Sequence, residues 1–240
     1  RPLGIERYGG LSEYVKVPAK WVEKLPVNIS EKQAIIFGTA GFTAALAVQK
    51  LLANKSPQSQ LPVLVTGASG GVGSMSIFLL KSNGFKVTAM TSSLENKSYL
   101  KSIGADEVIS SSVLQKNNSL PLLKETYSSI IDNIGGESVT VGIKTIQKNG
   151  FLILIGNIAG SKFLAHVNPF LLRGVSIMGI NAESCTVYQR KKIWRMLGAN
   201  TYKNKIEKLY RVIKFDEISS NIKSVKLNRH IGRLVVKIDD

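Results

Sequence analysis

Four glycines are concentrated at residues 67–73, between a short apolar run and a longer apolar segment. The apolar run, residues 63–65, is typical of a strand buried on both faces, and the longer segment is typical of a buried helix ending near Asn83. A strand, a tight turn and a helix N-terminus together bind anions, because free backbone N–H groups and the helix dipole point to one place. The pattern predicts a dinucleotide site, in which glycine lets a diphosphate approach the backbone. The predicted contacts are Ser69, Gly70, Gly71, Val72 and Gly73.

The end of the next predicted strand, residues 86–90, indicates which dinucleotide is bound. Sites that prefer NAD carry Asp or Glu there, because a carboxylate accepts hydrogen bonds from the ribose hydroxyls. This chain has Thr91, Ser92 and Ser93 instead. Lys97 follows one helical turn after Ser93. Hydroxyl donors and a cation favour a 2′-phosphate, which a carboxylate would repel, so NADP(H) is the predicted cofactor. Ser92 or Ser93 is also a candidate N-cap for the helix that follows.

Apolar runs alternate with helical segments along the middle of the chain. Strands separated by helices predict an α/β fold, a doubly wound parallel sheet of the six-stranded Rossmann type. The predicted strands are residues 63–65, 86–90, 106–110, 129–132, 151–155 and 174–179. Ligands bind such a sheet at the carboxyl ends of its strands. We therefore expect one rim to hold residues 67–73, 91–93, 133–135 (with Asn133), 156–157 and 179–181.

The remaining segments connect or flank this sheet. Residues 94–103 and 137–147 are predicted helices, and residues 111–119 are predicted to be a polar loop. Ser30 and Gln33 form an S-x-x-Q capping box at the start of a helix that is interrupted at residues 38–41. Outside the sheet, strands are predicted at residues 11–18, 21–25, 209–213 and 232–238, and helices at 186–197 and 215–227.

The composition is that of a folded protein from a reducing compartment. The chain has 240 residues, of which 44% are hydrophobic and 20% charged, and a single cysteine, Cys185. One cysteine excludes an intrachain disulfide, so a cytoplasmic location is expected. The most membrane-like segment, residues 34–53, contains two glycines and the pair Gln49 and Lys50. It is therefore predicted to be a buried helix and not a membrane span.

The net charge is +16, from 32 basic and 16 acidic residues. Such an excess attracts polyanions, including nucleic acid and phosphorylated substrates. A solvated surface without a partner explains the same charge equally well, and no aromatic-basic RNA motif is visible. A non-catalytic protein that binds NADPH or RNA on this scaffold is therefore kept as a minority alternative, and nucleic acid is not the expected partner.

Several segments resemble a known family. The sequences GTAGFTA at residues 38–44, VTGASGGVGS at 65–74 and YLKSIGA at 99–105 resemble the zinc-independent quinone-oxidoreductase branch of the medium-chain dehydrogenase/reductases. The run NPFLLRGVSIMGI at residues 168–180 narrows the resemblance to the acryloyl-CoA reductase-type subfamily, which is NADPH-dependent. The positions of Arg190, Trp194 and the terminal pair Gly232 and Arg233 agree with this subfamily. The resemblance covers residues 9–238, essentially the whole chain.

The resemblance implies a GroES-like catalytic domain ahead of the nucleotide-binding domain. Residues 1–32 resemble the end of that catalytic domain, residues 33–181 the Rossmann domain, and residues 182–240 the C-terminal return to the catalytic domain. Most of the catalytic domain is expected to be absent from this sequence. No catalytic residue is therefore assigned, and the chain alone is expected to catalyse little. The family often forms homodimers, and pairing through an edge strand of the sheet is expected.

The reaction implied by the resemblance is conjugate reduction of a small enoyl-CoA thioester. Hydride passes from NADPH to the β-carbon, and a proton reaches the α-carbon. A quinone is the alternative substrate. No metal is expected, because the position of a cysteine zinc ligand in related alcohol dehydrogenases is Ile36 here, and an aliphatic side chain cannot bind zinc. His166 and His230 are expected to be surface or outer residues of the site.

The resemblance also implies further cofactor contacts. Thr39 and Thr43 would flank the nicotinamide and the diphosphate, and Arg233 would contact a cofactor or CoA phosphate or lie on the surface as a charge. The backbone of Gly156, Asn157, Asn168 and Phe170 would hold the nicotinamide carboxamide.

Two positions depart from the subfamily. The subfamily commonly carries an arginine at the position near Ser93. In this chain, the 2′-phosphate would therefore be bound by Ser92 and Lys97. Asn181 stands where the family commonly has Asp, and the role of that position is left open.

Part of the sequence also matches the pattern of a different family of reductases. The glycine turn also satisfies the T-G-x-x-x-G-x-G pattern of short-chain dehydrogenases, and Tyr188 and Lys192 form a Y-x-x-x-K pair with Ser176 upstream. In that family the tyrosine is the acid, and the lysine lowers its pKa. Those enzymes begin with the glycine turn, whereas about sixty residues precede it here, so the match is interpreted as a coincidence.

Overall fold

A computed structural model describes residues 4, 7–54, 59–115, 119–199, 206–227 and 230–238. Its centre is a six-stranded parallel sheet with the strand order β3-β2-β1-β4-β5-β6. The predicted α/β fold, a doubly wound sheet of the Rossmann type, is confirmed. The strands are β1 (Val63–Val65), β2 (Val87–Thr91), β3 (Glu107–Ser110), β4 (Ser129–Asp132), β5 (Phe151–Leu154) and β6 (Ser176–Gly179).

The two central strands are buried on both faces, as their apolar runs predict. In β1, Val63, Leu64 and Val65 are all buried, and every residue of β4 is buried too. Val63 pairs with Val87 of β2 on one side and with Ser129 of β4 on the other. The strand order therefore reverses beside β1, and such a reversal opens a crevice at the carboxyl ends of the strands.

Helices cover the faces of the sheet and a further pair of strands lies beyond it. The helices are α1 (Glu31–Asn54), α2 (Gly71–Ser82), α3 (Lys97–Ser102), α4 (Glu137–Gly142), α5 (Asn168–Arg173), α6 (Val187–Leu197) and α7 (Ile218–Lys226). Short 3-10 helices occupy Ala19–Trp21, Leu94–Asn96, Ser111–Gln115, Ile143–Thr145 and Ile206–Leu209. The remaining strands, β7 (Tyr210–Lys214) and β8 (Arg233–Lys237), pair with each other in parallel, with Tyr210 opposite Arg233.

Helix α1 begins and bends where its sequence predicts. The backbone N–H of Gln33 donates to Ser30 Oγ at 3.2 Å, and the Ser30 N–H donates to Gln33 Oε1 at 2.9 Å, which completes the predicted capping box. Gly38 has a non-helical backbone (φ 48°, ψ −152°) and kinks the helix. α1 then packs against α2 and α6, where Phe42 lies 5.9 Å from the ring of Trp194.

By length and composition, α1 is the one helix of the described residues that could cross a membrane. However, 67% of its apolar window is buried inside the protein. The core helix of a globular domain passes the same test, so the finding is weak evidence for a span. The prediction of a buried helix at residues 34–53 is confirmed.

Four predictions of local structure are wrong. Residues 11–18 and 21–25 are not strands: the backbone there forms no ladder within the described part of the chain, and Leu11, Tyr14 and Val15 are exposed. A strand requires a neighbour for its backbone groups, and apolar alternation alone does not supply one. The predicted loop at residues 111–119 contains a 3-10 helix at Ser111–Gln115, and its residues 116–118 lie outside the described residues.

The fourth wrong prediction is the length of the helix at residues 137–147. The α-helix ends at Gly142, followed by a 3-10 turn, because Ile146 is extended and forms a parallel bridge with Tyr127. The end of this segment therefore extends the sheet and cannot continue the helix.

Candidate nucleotide-binding site

A cleft of about 620 Å³ lies at the carboxyl ends of β1, β2, β4 and β5. It is formed where the strand order reverses, at the position expected for ligands of a doubly wound sheet. The structure brings together ten of the residues predicted to bind the cofactor. They are Ser69, Gly70, Gly71, Val72, Gly73, Thr91, Ser92, Asn133, Gly156 and Asn157.

The glycine turn between β1 and α2 packs its own backbone too tightly for a side chain. A Cβ atom on Gly73 would lie 2.3 Å from the carbonyl oxygen of Gly67 and 2.8 Å from Ala68 Cα. The first helical hydrogen bond is donated by Ser74 N–H to Gly70 O at 2.9 Å. The N–H groups of Gly71, Val72 and Gly73 precede it and have no carbonyl within the helix to bond. These donors face the cleft end of α2 and suit a diphosphate.

A buried polar network at the end of β4 positions Asn133 beside this turn. Asn133 Nδ2 donates to the carbonyl oxygen of Thr66 at 2.8 Å, and Asn133 N–H donates to Thr66 Oγ1 at 3.0 Å. Thr66 Oγ1 donates in turn to Asp132 Oδ2 at 2.9 Å. Asn133 Oδ1 is buried and has no hydrogen-bond partner among the described residues. Asn133 therefore presents a free acceptor in the cleft wall, which suits a ribose hydroxyl.

The opposite wall of the cleft requires glycine for close backbone contact. A Cβ atom on Gly156, just after β5, would lie 2.2 Å from the carbonyl oxygen of Asn133. Gly135 has φ of +76°, and a Cβ there would lie 2.5 Å from Gly160 O. The loops after β4 and β5 are therefore packed against each other, which fixes the cleft opening beside Asn157.

The corner after β2 contains hydroxyls and no carboxylate. Ser92 is exposed and lines the cleft, whereas Thr91 Oγ1 is buried and accepts from the Ser93 N–H at 3.2 Å. Ser93 occupies the N-cap position of the 3-10 helix Leu94–Asn96, but its side chain makes no capping hydrogen bond. Lys97 is exposed and is not among the residues that line the cleft. Of the predicted 2′-phosphate contacts, the structure thus places Ser92 in the cleft and Lys97 outside it.

Arg233, at the start of β8, lies behind the glycine turn and not on the open surface. Its Nε donates to the carbonyl oxygen of Ile36 at 3.2 Å. A Cβ on Gly38 would lie 2.8 Å from Arg233 Nη2, and one on Gly71 would lie 3.3 Å from its Cδ. Burial lowers the pKa of the guanidinium below its ordinary value. The alternative that Arg233 is a surface charge is wrong: the side chain occupies the space between the α1 kink and the turn.

Four other predicted contacts do not line the cleft. Thr43 is buried and donates from Oγ1 to the carbonyl oxygen of Thr39 at 2.7 Å, so its hydroxyl is engaged within α1. Asn168 begins α5, and Phe170 packs against the smaller of two apolar clusters, on the side of the sheet that buries Val139 and Ile143. The roles assigned to Thr39, Thr43, Asn168 and Phe170 remain predictions.

Sequence reasoning missed residues that line the cleft. Ser111, Leu114, Glu137, Ser138 and His230 are among them. Glu137 is the first residue of α4, which follows β4 in the chain. The expectation that ligands bind at the carboxyl ends of the strands could therefore have found it. His230 has no such signal, because it reaches the cleft through the packing of β8 on the glycine turn. His230 is half-buried and lines the cleft, so it lies in the cleft wall, and the expectation that it is an outer residue remains a prediction.

The short-chain dehydrogenase interpretation and the possibility of a metal site can be compared with this geometry. Tyr188 of the Y-x-x-x-K pair is 76% exposed on α6 and does not line the cleft, which agrees with its interpretation as a coincidence. Within the described residues, no group of three or more His, Cys, Asp or Glu side chains could hold a metal ion.

The strand order, the glycine turn and the crevice beside it define a dinucleotide-binding Rossmann domain. Comparison with known proteins refines this class. The sequence model of the family described as zinc-binding dehydrogenase matches residues 71–199. YhfP of Bacillus subtilis, named as a quinone oxidoreductase, is 37% identical over 98% of this chain and 72% of its own length. The acrylyl-CoA reductase AcuI of Ruegeria pomeroyi is 31% identical over 99% of this chain and 72% of its own length.

Solved structures agree with these relatives. The YhdH oxidoreductase of Salmonella enterica in complex with NADP has a TM-score of 0.92 at 31% identity, over 99% of this chain and 72% of that one. YhfP with NAD bound has a TM-score of 0.91, over 98% of this chain and 72% of that one. The chain belongs to the medium-chain dehydrogenase/reductase family, in the branch that contains YhfP and AcuI. The predictions of this family, of an oxidoreductase and of a nicotinamide dinucleotide cofactor are confirmed.

Proposed function

We propose that this protein is an NADPH-dependent reductase of the carbon–carbon double bond in a small enoyl-CoA thioester of the acryloyl-CoA type. The observation that carries the proposal is the likeness to AcuI, at 31% identity over 99% of the chain, on a scaffold with a complete dinucleotide cleft. NADPH, when bound, supplies the hydride, and the protein contributes binding and orientation.

The residues of the cleft fit this cofactor. The free N–H groups of the glycine turn would hold the diphosphate, and Arg233 would add positive charge from behind the turn. Asn133 Oδ1 would accept a hydrogen bond from a ribose hydroxyl. The hydroxyl of Ser92, without a carboxylate in the corner after β2, leaves room for a 2′-phosphate. This corner supports NADPH over NADH as the cofactor.

The substrate would meet the cofactor near the loop after β5. Ile155, Gly156, Asn157 and Ile158 line the cleft there, and the side chains of Ile155 and Ile158 are apolar. Such a wall excludes water from the reacting carbons, which strengthens the electrostatic contacts that stabilise an enolate-like oxygen. None of the described residues is assigned as the catalytic acid.

Reduction of a quinone is the second candidate. Its support is the identity of 37% to YhfP, which is higher than the 31% to AcuI. The two candidates share the cofactor and the hydride chemistry, and differ in whether the acceptor carries a CoA nucleotide.

An assay of the full-length protein distinguishes them. NADPH oxidation would be followed with acryloyl-CoA, crotonyl-CoA and a quinone under identical conditions. We expect the highest kcat/KM with acryloyl-CoA. Turnover of the quinone alone would refute the enoyl-CoA proposal and establish the second candidate. The homodimer, the cytoplasmic location, the absence of a nucleic-acid partner and the three-part division at residues 32 and 181 remain predictions.

A further inference from the structure

The described lining of the cofactor cleft contains few ionisable side chains. Of the described residues that line the cleft, only Glu137 and His230 carry ionisable side chains, and no lysine or arginine is among them. NADPH brings a diphosphate and a 2′-phosphate, so a cleft built for it should place a cation against them. Arg233 supplies charge behind the glycine turn but does not line the cleft. Within the cleft, His230 is the side chain that can become cationic near neutral pH.

The position of His230 is fixed by the packing of β8 on the turn. The N–H of Gly232 donates to the carbonyl oxygen of Ser69 at 2.8 Å, which holds this segment against the turn. His230 Nδ1 is buried and has no hydrogen-bond partner within the part of the chain that the structure describes. A buried polar atom without a partner is costly unless a ligand or water satisfies it. The imidazole thus has unused hydrogen-bonding capacity at the edge of a ligand cleft.

His230 lies on the side of the cleft that is near α3. Besides the cofactor cleft, it lines a second cavity of about 300 Å³ together with Tyr99. Tyr99 belongs to α3, the helix that follows the corner at residues 91–93. In a dinucleotide fold, that corner receives the adenosine ribose and, in NADP, its 2′-phosphate. His230 is therefore placed between the glycine turn and the helix that leads away from the 2′-phosphate corner.

We propose that His230 is a ligand of the 2′-phosphate of NADP(H) and takes up a proton when the cofactor binds. This inference rests on the proposed NADPH-dependent function. It replaces Lys97, which lies outside the cleft, as the source of positive charge at this corner. The paired imidazolium and phosphate would then distinguish NADPH from NADH, because NADH lacks that phosphate.

The charges around His230 explain why the proton arrives with the cofactor. Burial, and then the nearby Arg233, lower the pKa of His230 below its ordinary value of 6.5. Lys208 and Arg211 line the second cavity together with His230, and Glu137 lines the cofactor cleft. The lowered pKa favours the neutral imidazole in the free protein. A phosphate dianion raises the pKa of His230, so binding and protonation favour each other.

The test compares the wild-type protein with His230→Gln, and with His166→Gln as a matched control, since His166 is exposed and lines no part of the cleft. Dissociation constants for NADPH and NADH would be measured by calorimetry at about pH 6 and about pH 8. Measurements in two buffers of different ionisation enthalpy would give the protons taken up. Circular dichroism would establish that each variant is folded.

At about pH 6, we expect His230→Gln to weaken NADPH binding about tenfold and to leave NADH binding unchanged. The loss should be smaller at about pH 8, and the proton uptake of the wild type should disappear. The titration of the phosphate itself is common to both proteins and cancels in this comparison. An unchanged NADPH affinity in the folded variant, or an equal loss for NADPH and NADH, would overturn the inference. Wild-type protein that binds neither nucleotide would instead refute the proposed function.

Discussion

The backbone N–H of Gly232 donates a hydrogen bond to the carbonyl oxygen of Ser69, at 2.8 Å. This bond joins the residue before β8 to the turn after β1, two segments that lie far apart in the sequence. Gly232 has φ of +60°, and a Cβ there would lie 2.5 Å from the carbonyl oxygen of Leu209. The shape of the cofactor turn therefore depends on the C-terminal strand pair as well as on the glycines of the turn.

Replacing Gly232 with alanine should damage both stability and cofactor binding. The new side chain would meet the Leu209 backbone in a left-handed conformation, at a cost of about 1–3 kcal/mol. Displacement of β8 would also move the Ser69 carbonyl, so we expect weaker NADPH binding. Thermal unfolding and an NADPH titration would measure the two effects. Gly10→Ala is the control, because a Cβ on Gly10 would meet nothing within 4 Å. Equal behaviour of the two variants would contradict this coupling.

A substitution of Arg233 is expected to weaken the binding of both nucleotides, whereas one of His230 is expected to weaken the binding of NADPH alone. Because the side chain of Arg233 passes behind Gly71 and bonds the Ile36 carbonyl, Arg233→Met should remove positive charge near the diphosphate, which NADH and NADPH share. We predict an affinity loss of about tenfold for both nucleotides. Isothermal titration with each nucleotide checks this. A loss confined to NADPH would place Arg233 at the 2′-phosphate instead.

The buried carboxylate of Asp132 holds the cleft wall in place through hydrogen bonds. It accepts hydrogen bonds from Thr66 Oγ1, Ser138 Oγ and the N–H groups of Ile134 and Gly135. In Asp132→Asn, one carboxylate oxygen becomes an NH2 group, which cannot accept the two hydrogen bonds made to that atom. We expect the free energy of unfolding to fall by about 2–4 kcal/mol.

Chemical denaturation would measure the loss in Asp132→Asn. Asp216→Asn serves as the control, since Asp216 is exposed. A loss in the Asp132 variant no greater than in this control would show that the network contributes nothing to the fold.

Local signals in the sequence were sufficient for the sheet and the turn. The central strands of the sheet contain short apolar runs, and the constraint on Gly73 arises from residues only a few positions away. The capping box at Ser30 is likewise complete within four residues. Such features depend on neighbours in the chain, so a sequence pattern can predict them.

The parts that the sequence did not predict depend on contacts between distant segments. His230 enters the cleft, and Arg233 reaches the α1 kink, because β8 packs on the glycine turn. The alternation at residues 11–18 resembles a strand, but pairing is decided by a neighbour that a local pattern does not specify. Lys97 was assigned to the cofactor by its spacing from Ser93; it is exposed and does not line the cleft, and its role remains a prediction.

The central claim is that backbone N–H groups of the glycine turn bind the diphosphate of NADPH, and Gly73 tests it most directly. A Cβ on Gly73 would lie 2.3 Å from Gly67 O, whereas one on Gly179 would meet nothing within 4 Å. We predict that Gly73→Ala remains folded by circular dichroism but binds NADPH at least about a hundredfold more weakly, while Gly179→Ala binds like the wild type. An NADPH dissociation constant in Gly73→Ala equal to that of the wild type would contradict the account.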